Sequence, residues 1–177
     1  MELKDLQKPL QIKDIDFRIQ SINKGKYATI LAYKDARVDM NRLDEVCGAG
    51  FWKREHFNNN KTCRVSIFND IIKEWVSKED VGTESNTESE KGLASDSFKR
   101  SCFNWGIGRE LYDYPIISIK LQDDEVTEYN GKLRASFGLK LKEWHWISEF
   151  TDGKLTGLAC QDTKGKLRFK HGDFKKK

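Results

Sequence analysis

Between Ser95 and Pro115 the chain reads SDSFKRSCFNWGIGRELYDYP, which gathers Lys99, Arg100, Phe103, Trp105 and Arg109 within eleven positions. Further cations interleaved with aromatics stand upstream: Arg18, Lys24, Lys26, Tyr33 and Arg37, then Trp52, Lys53 and Arg54. Lys and Arg can follow the phosphates of a single nucleic-acid strand while rings and guanidinium planes lie against bases or sugars, so this mixture fits single-strand binding. It fits a solvated helix face as well. Asp96 stands four residues before Arg100, an ion-pair spacing that stabilises a helix by about 0.2–0.5 kcal/mol and needs no ligand. The residues alone leave both readings open.

Other constellations carry less. Asp123, Asp124 and Glu125 have the carboxylate oxygens a hard divalent cation prefers, and a metal-dependent nuclease is the alternative they raise. Three consecutive acids point in different directions, however, whereas a metal centre needs ligands converging from separate elements. Cys47, His56 and Cys63 lack the close pairs of a zinc site, so Cys47, Cys63, Cys102 and Cys160 read as reduced core residues. His56, His145 and His171 have no recognisable nucleophile or base partner. No GxxxxGK[ST] phosphate loop occurs, and GIGRE follows a helix rather than joining strand to helix, so an ATP-driven motor is not expected. The chain is expected to need no cofactor, hold no metal and catalyse no bond chemistry.

These side chains need elements to hold them. DFRIQSINKGKYATILAY reads as a β-hairpin, with Phe17, Ile19 and Ser21 alternating ahead of a turn at Asn23–Lys26. A short helix follows, with Met40, Leu43, Val46 and Cys47 on one face and Gly48 as its stop. Phe51–Phe57 and Thr62–Phe68 predict a second hairpin, continued by a strand around Ile72–Ser77 in one antiparallel meander. Polar, acidic Ser77–Gly92 predicts a loop or lid. From about Leu93 to Trp105 a helix places Ala94, Phe98, Cys102 and Trp105 inward, and Asp96, Lys99, Arg100 and Phe103 outward. After Pro115, Ile116–Val126 reads as a further strand or stem. Beyond Ser136, three short strands with turns at Asp152-Gly153 and Thr163-Gly165 predict a small C-terminal meander.

The 177 residues suit one domain with an appendage. Hydrophobic residues make up 37% and charged residues 34%, no apolar run approaches a membrane span, and Met1–Asp5 lacks a signal peptide's apolar region, so a cytoplasmic protein without membrane partners is expected. The formal charge of +4 is uneven, with 12 Lys/Arg against 5 Asp/Glu after Asn130. The tail is basic and the body mildly acidic.

RIQSINKGKYATILAYKDARVDMNRLDEVCG followed by EDVGTESNTESEKGLASDSFKRSCFNWGIGRELYD resembles the Rad fifty-two family of single-strand annealing proteins, in particular its phage Sak-like branch. The likeness runs from about Asp14 to Pro115. It is carried by Tyr33, by Leu43–Gly48 and by the helix and turn from Ser95 to Tyr112. It implies a β-β-β-α core in residues 1–135, with residues 136–177 as a basic β-rich appendage. The α+β core would assemble into a ring or helical homo-oligomer that binds single-stranded DNA and anneals complementary strands without ATP in recombination and repair. Arg18, Tyr33, Lys99 and Arg100 match the family's groove. Where eukaryotic members carry a further Arg, this chain has Phe103, which implies stacking there. Lys24, Lys26, Arg37, Lys53 and Arg54 complete the expected DNA-binding set. The expected partners are single-stranded DNA, further copies of the chain and, through the tail, a host single-strand-binding protein.

Overall fold

The computed structural model describes residues 2–83 and 89–174. The strands are β1 (Asp16–Ile22), β2 (Tyr27–Tyr33), β3 (Trp52–Phe57), β4 (Thr62–Asn69), β5 (Glu74–Val81), β6 (Ile117–Lys120), β7 (Val126–Tyr129), β8 (Lys132–Ala135), β9 (His145–Thr151), β10 (Lys154–Gln161) and β11 (Leu167–Gly172). Among the described residues two α-helices accompany them, α1 (Ala36–Cys47) and α2 (Ser89–Trp105). Every strand pair is antiparallel, and the fold is α+β. Two compact units emerge: Met1–Leu10 with Lys34–Arg109, and Gln11–Tyr33 with Glu110–Lys177.

In the first unit, β3, β4 and β5 form one sheet in chain order. Cys63, Val65 and Ile67 alternate along β4 and are wholly buried, as the period of two requires for a face turned to the core. Phe98, Cys102 and Trp105 of α2 close that core with Leu43 and Cys47 of α1. Ser97 and Ser101, also buried, let helix and strand approach closely. Their hydroxyls donate to Asn60 O (3.0 Å) and Cys63 O (2.5 Å), so the close approach leaves no hydroxyl without an acceptor. Gly82 sits where a Cβ would fall 2.8 Å from Ser97 N. Asp35 caps α1 by accepting from Arg37 N at 2.8 Å, which satisfies a donor the helix itself cannot.

Two expectations change here. Residues 77–81, read as the start of a polar loop, continue β5 to Val81. An edge strand wet along most of its length needs no apolar alternation, so its polarity imitated a loop. The middle of the expected 77–92 loop lies outside the described residues. The helix begins at Ser89, ahead of Leu93.

The second unit holds the sheet β1-β2-β6, the hairpin β7-β8 and the sheet β11-β10-β9. The first hairpin therefore pairs with β6, some ninety residues on, and the single continuous meander read from the sequence becomes separate sheets. Phe17, Ala28, Ile30, Ile117 and Ile119 line the buried face. A bulge between Ile19 and Ser21 shifts the register, so Ser21 pairs with Thr29 and leaves the face of Phe17, against strict alternation. Phe17 stacks on Trp146 of β9 with ring centroids 3.6 Å apart. Hairpin β7-β8, with Asn130-Gly131 both at positive φ, was not anticipated. The boundary expected near residue 136 falls within this unit. Among the described residues no helix is long and apolar enough to cross a membrane.

Candidate nucleic-acid interface

Helix α2 buries Phe98, Ser101, Cys102 and Trp105 and leaves Asp96, Lys99, Arg100 and Phe103 partly exposed on its other side. Arg100 Nε donates to Asp96 Oδ2 at 3.0 Å, realising the i, i+4 pairing the spacing allows. Asp96 also accepts from Thr83 N and Oγ1 at 2.9 and 3.2 Å. Burial pushes its carboxyl up, but the Thr83 N–H and the Arg100 guanidinium outweigh that and hold it below its ordinary value.

The side chain beneath Phe103 is unexpected. Lys34, 2% exposed, places its ammonium 4.2 Å from the Phe103 ring centroid. It donates to Ile107 O at 2.8 Å and pairs with Asp39, which is wholly buried. One Asp39 oxygen, Oδ2, has no conventional hydrogen-bond partner among the described residues, with the Cys102 thiol beside the carboxylate. Burial therefore prevails over the Lys34 attraction and pushes Asp39 up to about 6. Lys99 exerts a lesser attraction on Asp35, Asp39 and Asp96, so its ammonium shares a field with the start of α1. Arg37 Nε donates to Asp35 Oδ1 at 2.9 Å in the same neighbourhood. Lys99, Arg100, Phe103 and Arg37 thus lie around one junction of α1 and α2. Arg109 caps the end of α2, donating to Phe103 O at 2.8 and 3.0 Å and to Asn104 O at 3.1 Å; its place in the quoted segment has a local structural reason.

Lys53 and Arg54 are separated despite adjacency, because successive strand residues face opposite sides of a sheet. Arg54 pairs across from buried Val65 and lays its guanidinium 4.9 Å from the Phe98 ring centroid. Lys53 lies on the opposite face, 5.1 Å from the Trp75 ring and 4.0 Å from Glu55.

In the second unit Arg18 and Tyr33 meet on the outer face of β1-β2-β6, with the guanidinium 5.2 Å from the ring. Tyr27 shares that face, six residues along β2, with the Lys120 ammonium 4.8 Å from its ring. Neither Tyr27 nor Lys120 stood out in the sequence. Tyr27 did follow the Lys24–Lys26 turn, but Lys120 joins it only through the long-range pairing of β6. Lys24 is exposed in that turn, and Lys26 Nζ reaches Asp123 at 2.6 Å.

That contact bears on the acidic cluster. Asp123 serves Lys26, whereas Glu125 receives both terminal nitrogens of Arg168 at 2.7 Å. Arg168 also bonds Asp162 at 3.2 Å and Lys120 O at 3.0 Å. The acids diverge to separate cations, and among the described residues no three His, Cys, Asp or Glu side chains group as metal ligands.

An α+β chain with a cationic helix turn and a sheet face carrying cation–tyrosine pairs is the class these features define. Residues 2–130 match the family model described as Rad52/22 family double-strand break repair protein, and the chain belongs to that family. Over 122 residues it is 33% identical to the single-stranded DNA-binding protein DdrA of Deinococcus radiodurans, covering 65% of this chain and 58% of that protein. It is 35% identical to the protein of the same name from Deinococcus deserti, covering 65% and 60%. The chain spans about three-fifths of the length of these curated relatives.

Proposed function

We propose that this chain binds single-stranded DNA and anneals complementary strands in recombination or repair, as a homo-oligomer, without ATP and without making or breaking bonds. The observation that carries this reading is the partly exposed turn of α2, where Lys99, Arg100 and Phe103 ride on a helix held to its sheet by buried serines, in a chain of the Rad52/22 family. A fixed row of cations lowers the phosphate repulsion between two strands while leaving base edges open to pair. Each copy contributes few contacts, and repetition multiplies them. Residues 1–135 take the strand-handling role in this proposal. The basic residues after 136 take a contact with the acidic tail of a host single-strand-binding protein.

The test is annealing of two labelled complementary oligonucleotides, read by energy transfer, for the wild type beside Lys99→Ala/Arg100→Ala. The double variant removes the half-buried Arg100–Asp96 pair, and circular-dichroism melting beside the wild type checks that its fold is kept. Its acceleration should be lost, and the salt dependence of binding should flatten by roughly 0.7 in log–log slope per phosphate contact removed. Annealing no faster than the spontaneous rate in the wild type, or undiminished in the variant, overturns the assignment. Added Mg²⁺ should leave the DNA length unchanged; shortening would favour the nuclease alternative. On protein-coated strands, Lys166→Ser/Lys170→Ser should slow annealing while leaving bare strands unaffected.

A further inference from the structure

Along β2 the side chains of Ala28 and Ile30 enter the core, so Tyr27, Thr29, Leu31 and Tyr33 lie on the outer face. The two tyrosines stand about 20 Å apart at the usual rise per strand residue. Each has a cation from a neighbouring strand, Arg18 of β1 over Tyr33 and Lys120 of β6 over Tyr27. Tyr27 is 47% exposed although β2 is the central strand of its sheet, so the ring lies open on that face. Lys120 donates to Gly25 O, which engages one of its three ammonium donors. Asp123, a carboxylate within electrostatic reach of Lys120, is held by Lys26 at 2.6 Å.

From this arrangement we infer that Tyr27 and Lys120 form a second nucleotide-contacting station on the face that carries Arg18 and Tyr33. One phosphate rests on the Lys120 ammonium, and a base or sugar lies against the Tyr27 ring. The inference rests on the single-strand binding proposed above and extends it to residues not otherwise assigned to that role. Single-strand binders combine a cationic track with aromatic platforms, and Tyr27–Lys120 supplies both from one cross-strand pair. A single strand passing Arg18–Tyr33 along the strand direction reaches Tyr27–Lys120 without leaving the sheet.

The experiment is fluorescence anisotropy of a labelled oligo(dT) with the full chain over a salt series, comparing wild type, Tyr27→Ala, Tyr27→Phe, Lys120→Gln and Lys99→Ala/Arg100→Ala. Tyr27→Ala should bind about tenfold more weakly with its salt slope unchanged, as loss of one stacking platform requires. Tyr27→Phe keeps the ring and should bind like the wild type. Lys120→Gln should flatten the slope by about 0.7, one phosphate's share. Wild-type affinity and slope in Tyr27→Ala and Lys120→Gln, alongside a weakened Lys99→Ala/Arg100→Ala control, overturn the station and leave the proposed function standing. A wild type that does not bind oligo(dT) overturns both. Circular-dichroism melting checks the fold of Tyr27→Ala; if it is unfolded, the Lys120→Gln slope decides.

Discussion

Each unit buries a cation, and the two solutions are unlike. In the first, Lys34 offers a point charge to Asp39 and a donor to Ile107 O, and among the described residues Asp39 Oδ2 is left without a conventional hydrogen bond. In the second, the Arg168 guanidinium, 4% exposed, forks onto both oxygens of Glu125, reaches Asp162 and Lys120 O, and lies 4.6 Å from the Trp144 ring. The titration of the acids follows the geometry. Glu125 lies below its ordinary value because the Arg168 bonds outweigh burial, whereas Asp39 is pushed up to about 6 because burial outweighs Lys34. A planar, multiply bonded cation satisfies what it desolvates, and a compact ammonium satisfies half of it. The fully satisfied cluster joins the loop after β6 to the C-terminal strands. The half-satisfied pair sits beneath Phe103, beside the cations proposed to hold DNA.

The comparison is tested most severely by removing the better-satisfied cation. Arg168→Ala leaves Glu125 and Asp162 facing each other without their shared partner at a part-buried site, which costs about 3 kcal/mol, the low end for a buried pair. At roughly 2–4 °C per kcal/mol for a chain of this size, thermal unfolding should fall by ten degrees or so. A melting curve within two degrees of wild type would mean that the cluster contributes little to folding.

The weaker pair should yield less. In Lys34→Met, Asp39 takes up a proton instead of remaining a buried anion, which limits the loss to about 2 kcal/mol. Lys34→Met/Asp39→Leu, which removes both charges, should recover most of that stability in urea titrations. A double variant as unstable as the single would show that the pair has a structural role its charges alone do not explain.

Much of the scaffold was legible because local rules determine it. Leu43 and Cys47 mark α1, Phe98, Cys102 and Trp105 mark α2, and the Asn58–Asn60 turn separates β3 from β4. The rest depended on long-range pairing or on reversals of local habit. Nothing near Tyr27 announces that Lys120 will lie over it, and nothing near Glu125 announces Arg168, 43 positions away. Lys34 is a residue type almost never buried, so its neighbours gave no cue that it belongs to the core. Lys53 and Arg54 are a different case. The alternation of strand side chains already places them on opposite faces of β3, so that much of their arrangement is legible in the sequence.

The smallest effect discriminates most sharply, because the two units should respond to acid in opposite senses. Asp39 has a folded value raised from 3.8 to about 6, so between about pH 4 and 6 the folded chain holds more protons than the unfolded one. Its contribution to stability therefore falls as pH rises through that window and recovers on acidification. Glu125 has a folded value below the ordinary 4.5. Its contribution is present above the unfolded value and is lost as pH falls through the folded one. Urea titrations of wild type against Asp39→Asn should then show the difference in stability shifting toward wild type, by on the order of 1 kcal/mol, between pH 7 and pH 5. The corresponding difference for Glu125→Gln should stay flat over that range and shrink below about pH 4.5. A flat Asp39→Asn difference would mean that Lys34 compensates the buried carboxylate as fully as Arg168 compensates Glu125, and the contrast between ammonium and guanidinium would not hold in this protein.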